Sequence, residues 1–211
     1  MGLGFGNILY YEGEMYDGKY GGKGKLVFLD RSMYIGEFKD DRYNGKGKFY
    51  DSKGRIVYNG DFVNGKYEGN GIGYYENGDK IIGEFKNSFA TGKGKGYDKD
   101  DHILYDGDFV NNKPEGNGNG YYKNGDYYIG QWKNSFRHGK GIIYGKNGNI
   151  LYEGEFVKGK FEGKGRRNYE NGNYYIGQWK NNLKHGEGIV YDKNGNILYE
   201  GKFVNGKFKE N

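Results

Sequence analysis

Glycine returns along this chain at a fixed interval, and that interval restricts what the chain can fold into. Gly13, Gly36, Gly60, Gly83, Gly107, Gly130, Gly154, Gly177 and Gly201 follow one another at alternating spacings of 23 and 24 residues. Each has a large apolar residue two positions before it and a second one, usually a ring, two positions after, as in Tyr34-Ile35-Gly36-Glu37-Phe38. Nine residues past each of the first eight comes Gly-x-Gly, from Gly22/Gly24 to Gly186/Gly188. A fixed period of this length marks a repeat architecture. The underlying unit is a 47-residue pair, since Gly130-Gln131-Trp132-Lys133-Asn134 reappears as Gly177-Gln178-Trp179-Lys180-Asn181.

Side chains two apart on a strand share a face. The two large residues of Tyr-x-Gly-x-Phe therefore flank a glycine that lets a neighbour approach closely. The opposite face carries Glu12/Glu14, Asn59/Asp61, Asp106/Asp108 and Glu153/Glu155 and is expected to be wet. A turn such as Asn64-Gly65-Lys66-Tyr67-Glu68 follows, then a second strand opened by Gly-x-Gly and closed by a ring such as Tyr74 or Tyr144. Connections such as Glu76-Asn77-Gly78-Asp79 carry the Asn-Gly signal of tight turns. With 43 glycines, 24 tyrosines, 13 phenylalanines and only 34% apolar residues, a thin layer of stacked rings is expected in place of a thick core. The reading is all-β: about 17 strands in stacked hairpins, a twisted rod about 80 Å long. Residues 1–10 form a partial repeat, 11–198 hold eight repeats starting at 11, 34, 58, 81, 105, 128, 152 and 175, and 199–211 hold an incomplete ninth. There Glu210 stands where the Gly-x-Gly should begin. Gly6-Asn7-Ile8-Leu9 matches Gly148-Asn149-Ile150-Leu151, the tail of a preceding unit, so a longer parent array is one expectation.

The string from Tyr128 to Trp132 with His138-Gly139-Lys140-Gly141, and its counterpart from Tyr175 to Gly188, resembles the MORN (membrane occupation and recognition nexus) repeat. The resemblance covers residues 11 to 205, with Ile81 in place of tyrosine and Met15 in place of the ring as departures. It implies an elongated single-layer antiparallel sheet. It also implies protein–protein scaffolding, homodimerisation and phosphoinositide or membrane association, and such arrays accompany kinase or methyltransferase domains.

Residue chemistry points away from catalysis. There is no cysteine, and the four serines and one threonine lie outside any Gly-x-Ser-x-Gly elbow. His138 and His185 occupy one repeat position, elsewhere Asn44, Glu68, Thr91, Glu115 and Glu162, and read as structural turn residues. His102 and the neighbouring Asp98, Asp100 and Asp101 read as a solvated loop, because they lack the spacing of a zinc or twelve-residue calcium site. The Gly-Lys-Gly-Lys tracts lack the Ser/Thr of a phosphate loop. No enzyme, cofactor or metal is expected. The 33 basic and 28 acidic residues are interleaved, which argues against a nucleic-acid partner. No run of about 18 apolar residues exists to span a membrane. The start lacks the basic and apolar regions of a signal peptide. The lack of cysteine fits a reducing, cytoplasmic compartment, with membrane or cytoskeletal association open.

Binding is the remaining function, and two surfaces compete for it. Tyr43, Tyr67, Phe89, Phe136 and Phe161 are large rings at apparent turns, which either cap the neighbouring hairpin or line an edge for a peptide or helix. Lys160, Lys164, Arg166 and Arg167 are the densest basic cluster, diluted by Glu162 and Glu170, and the candidate site for an anionic phospholipid. Glu37 and Glu84 are placed to pair across strands with Lys46/Lys48 and Lys93/Lys95. The incomplete ninth hairpin leaves a sheet edge near Tyr199 to Phe203 for self-association. The reading is a protein scaffold or adaptor. A lipid-binding adaptor and the repeat region of a larger enzyme are the alternatives.

Overall fold

The computed structural model describes residues 7–209; Gly6 and Glu210, both used above, lie outside them. Among the described residues there are 18 strands and no helix, so the hairpin reading holds, with one strand more than expected. The chain divides into two compact units, one running to Ile103 with Phe109–Asn112, the other comprising Leu104–Asp108 and the residues from Lys113 on.

The first unit holds β1 (Ile8–Tyr16), β2 (Lys19–Phe28), β3 (Met33–Lys39), β4 (Arg42–Tyr50), β5 (Ile56–Val63), β6 (Lys66–Tyr74), β7 (Lys80–Lys86) and β8 (Phe89–Tyr97). Each pairs antiparallel with the next. Strand β9 (Ile103–Val110) carries the division between the units. The second unit holds β10 (Lys113–Tyr121), β11 (Tyr127–Lys133), β12 (Phe136–Tyr144), β13 (Ile150–Val157), β14 (Lys160–Asn168), β15 (Tyr174–Lys180), β16 (Leu183–Tyr191), β17 (Ile197–Val204) and β18 (Lys207–Phe208). These strands pair consecutively in the same way.

Register places the glycines opposite one another, as in Gly154↔Gly165↔Gly177↔Gly188. In the repeats from Tyr11 to Tyr175 that carry a tyrosine, its ring folds across such a pair and its hydroxyl donates to a carbonyl three residues on: Tyr34 to Glu37 O at 2.9 Å, Tyr152 to Glu155 O at 3.1 Å, Tyr175 to Gln178 O at 3.0 Å. The ring beyond the glycine meets two tyrosines edge-on. Phe62 lies 4.9 Å from Tyr34 and 5.2 Å from Tyr58, and Trp179 lies 5.6 Å from Tyr152 and 5.1 Å from Tyr175. The indole N–H of Trp179 donates to Gly165 O at 3.1 Å, so its polar atom is satisfied inside the layer. The core of each unit is this zigzag of rings, with Tyr34, Tyr58, Tyr128, Tyr152 and Tyr175 essentially inaccessible. Burial pushes the Tyr128 and Tyr175 phenols up to about 12.

The turns are shorter than the sequence suggests. Only two residues connect β5 to β6, Asn64 and Gly65; Lys66, Tyr67 and Glu68 already belong to β6. The first glycine of Gly-x-Gly lies mid-strand with positive φ, 60° at Gly163, and its strand breaks register there. The bulged amide is capped by the residue between the glycine and ring of the preceding strand. Lys46 N–H donates to Glu37 Oε1 at 3.2 Å, Lys140 N–H to Gln131 Oε1 at 2.9 Å and Lys164 N–H to Glu155 Oε1 at 3.3 Å. That position is carboxylate or carboxamide in every unit from Glu14 to Gln178 and lysine only at Lys202.

Candidate interaction surface

The five turn rings do not form one line. Tyr43, Tyr67 and Phe161 lie two residues before the Gly-x-Gly, whereas Phe89 and Phe136 lie three before it, and one residue along a strand reverses the face. Tyr43 stacks on Tyr34 at 3.9 Å, Tyr67 on Tyr58 at 3.9 Å and Phe161 on Tyr152 at 3.7 Å, which completes the core. Phe89 and Phe136 point to the opposite, outer face and are exposed. In two repeats a cation takes the stacking position: Arg137 sits 5.3 Å from the Phe156 ring, and Lys184 sits 5.2 Å from the Tyr175 ring. Desolvation, then the nearby Arg167, hold the Lys184 ammonium below its usual range.

The basic cluster is divided too. Lys164 lies opposite Gln178 and Arg166 opposite Glu153 and Ile176 on the outer face, where the Arg166 guanidinium lies 4.2 Å from the Tyr174 ring. Arg167 lies opposite Tyr152 and Tyr175 on the ring face, 5.4 Å from the Tyr169 ring. Lys160 is tied to Asn181 Oδ1 at 3.1 Å. The Glu37 pairing takes another form, since its carboxylate accepts the Lys46 backbone amide while Lys46 Nζ meets Asp61 at 2.6 Å.

Two of the three histidines are not turn residues. His138 and His185 lie within β12 and β16, and the buried His185 Nδ1 has no hydrogen-bond partner. Their position is patterned rather than free. In alternate units it is glutamate, and Glu68, Glu115 and Glu162 accept the backbone amides of Asn87, Asn134 and Asn181 at 2.8–2.9 Å. Asp98, Asp100 and His102 bring ligand atoms within 4.8 Å of one another, but Asp98 Oδ1 already accepts the amides of Asp100 and His102. Asp51, 47 residues before Asp98, and Asp192, 94 residues after it, make the same turn, so the cluster is part of the repeat.

The outer face itself is less polar than the residues quoted for it above. Ile35, Ile82, Ile129 and Ile176, each 47 residues from the last, stand immediately before the repeat glycine, after a tyrosine in three cases and after Ile81 in the fourth, with 38–43% of their surface exposed. Ile82 faces Ile72 across the β6/β7 pair, Ile129 faces Ile142 and Ile176 faces Ile189. Within the second unit charged Glu153↔Arg166 separates the two isoleucine pairs. The identical Tyr-Ile-Gly at 34, 128 and 175 was the available signal.

The MORN repeat matches at residues 11–33, 34–54, 58–80, 82–95, 105–127, 128–150, 152–174, 175–197 and 199–209. The chain belongs to the MORN repeat family. Its nine repeats take in both the ring core and the outer isoleucines. No curated protein matches the chain. Among solved structures, one similar chain is a protein of unknown function from Bacteroides caccae, 12% identical over 88% of this chain and 80% of that one, with a TM-score of 0.20.

Proposed function

We propose that this MORN array is a non-catalytic protein-binding scaffold whose partner lies along the outer face. The observation that carries the reading is the exposed isoleucines that each unit presents on the side its ring core does not use, Ile35 and Ile82 in the first and Ile129 and Ile176 in the second. Exposed apolar residues separated, in the second unit, by the charged pair Glu153↔Arg166 suit a polypeptide partner that desolvates the first and is aligned by the second. The division of the basic cluster between two faces weighs against the phospholipid alternative. In the same reading, the flank of β17 from Ile197 to Gly201, which no described strand covers, recruits a strand from a second copy.

Photocrosslinking tests the proposal. A photoreactive residue at Ile129 or Ile176 is expected to yield discrete polypeptide adducts in a cell extract, absent when the probe sits at the exposed turn residue Asn194. Co-sedimentation with phosphoinositide vesicles at near-physiological salt, lost on Arg166→Ala/Arg167→Ala, with no polypeptide adduct from either isoleucine, would replace the scaffold with the membrane adaptor.

A further inference from the structure

Beside the isoleucines, the outer face of the second unit carries another row, at the strand ends that meet the Asn-Gly connections. Register sets Tyr121 level with Tyr127, Tyr144 and Ile150, and Asn168 level with Tyr174, Tyr191 and Ile197. The Asn168 side-chain amide donates to Ile150 O at 2.8 Å and joins the two halves. None of these eight residues is charged. Tyr127 stacks on Tyr144 at 4.8 Å, and 47 residues on Tyr174 stacks on Tyr191 at 4.7 Å. Each stack has an isoleucine pair two residues along its strands, Ile129↔Ile142 and Ile176↔Ile189. The next positions on that face are Gln131, Lys140, Glu155, Lys164 and Gln178, so the apolar band is two residues wide.

The stacked rings are half-buried, and their hydroxyls differ from those of the core. Tyr128, Tyr152 and Tyr175 donate to carbonyls of their own strands. Among the described residues the hydroxyls of Tyr127, Tyr144, Tyr174 and Tyr191 have no such acceptor, so the row offers donors standing on apolar rings. A helix pairs its own carbonyls and has little use for them. A polyproline II segment leaves every carbonyl free and carries no amide hydrogen at its prolines. Length agrees as well. The two stacks lie four strands apart, about 19 Å, and two turns of polyproline II, six residues, span about 19 Å.

Charge fixes a further element. Between the stacks Arg166 lies opposite Glu153, but it gives its Nε–H to Asn168 Oδ1 at 3.0 Å and sits 4.2 Å from the Tyr174 ring. Among the described residues the exposed Glu153 carboxylate forms no salt bridge, and it stands beside the row midway between the stacks.

We propose that this band binds a proline-rich segment of a partner protein in the polyproline II conformation. Its prolines rest on the Tyr127/Tyr144 and Tyr174/Tyr191 stacks, and a basic residue between them meets Glu153. The inference rests on the protein-binding reading above and adds the chemistry of the partner. Rings receive the prolines, hydroxyls meet the free carbonyls, and the acid sets the register.

Fluorescence anisotropy with the full chain tests it, using the labelled peptide Pro-Pro-Leu-Pro-Arg-Leu-Pro-Pro. One counterpart has alanine for every proline and another has glutamate for arginine. The proline peptide is expected to bind, and both counterparts to bind at least about tenfold more weakly. Tyr144→Ser/Tyr191→Ser is expected to lose at least about tenfold in affinity, and Tyr144→Phe/Tyr191→Phe, which keeps the stacks, about fivefold. Glu153→Lys, outside the core and the stacks, is expected to reverse the preference between the arginine and glutamate peptides. Val157→Ser/Leu183→Ser, exposed apolar positions at the tight turns of the same face, is expected to leave affinity unchanged. Equal binding of the alanine peptide, an unreversed preference in Glu153→Lys, or equal loss from Val157→Ser/Leu183→Ser overturns the proposal. If no peptide binds while Ile129 still crosslinks to polypeptides, this inference falls and the scaffold reading stands; if both fail, both fall.

Discussion

Replacing Tyr152 by alanine is expected to destabilise the chain by about 4 kcal/mol, the cost of deleting a fully buried ring from a close-packed core. Tyr152 is 1% exposed, stacks on Phe161 at 3.7 Å and meets Phe156 and Trp179 edge-on at 5.1 and 5.6 Å. Its removal uncouples rings from two successive repeats, because Phe156 shares its hairpin and Trp179 belongs to the next. In an array where each repeat touches only its neighbours, that loss falls on one interface. Tyr152→Phe keeps the ring and loses only the bond to Glu155 O, for about 1 kcal/mol. Urea unfolding of the two variants separates the contributions. A cost below about 1 kcal/mol for the alanine variant would show that the zigzag is not the source of stability.

Gly154→Ala is expected to cost about 3 kcal/mol, although it adds one carbon. A Cβ at Gly154 would lie 2.6 Å from Gly165 Cα and 2.7 Å from Lys164 O, both backbone atoms that cannot yield without opening the β13/β14 pair. The Tyr152 hydroxyl, 2.6 Å away, closes the third side. The unit built on Ile81 provides the comparison. At the second glycine of Gly-x-Gly, a Cβ on Gly165 would run into the Tyr152 ring and hydroxyl, whereas Gly94, with no tyrosine over it, has Ile82 O at 3.0 Å and Phe109 Cδ2 at 3.3 Å as nearest neighbours, so Gly94→Ala is expected to cost less than Gly165→Ala. The reverse order in denaturant melts would show that the hydroxyl does not set the glycine requirement.

The glycine and ring spacing was enough to read hairpins, strand faces and the tight connections, because those depend on local period and turn chemistry. The register between Tyr67 and Phe89 was not legible in the same way. Both rings follow a two-residue turn, but the reading extended that turn over Lys66–Glu68 and so lost the alternation that sends Tyr67 inward and Phe89 outward. The capping role of Glu37, Gln131 and Glu155 was visible only as an invariant residue class, since nothing local shows that an amide nine residues on is left unpaired by a bulge. Arg137 and Lys184 look like surface cations in sequence. They lie over rings because the neighbouring repeats bring those rings to them. The outer isoleucines were hidden by reading that face only from the repeats in which it is acidic.

The rings carry the fold, which in the proposed reading leaves the outer isoleucines to carry a partner. The most direct test is the unfolding free energy of Ile129→Ser/Ile176→Ser in urea, set beside Tyr152→Ala. A change within about 1 kcal/mol is expected, because both isoleucines are substantially exposed and stand outside the ring core. A loss as large as that of Tyr152→Ala would contradict the claim and make the row part of the fold rather than a surface for binding.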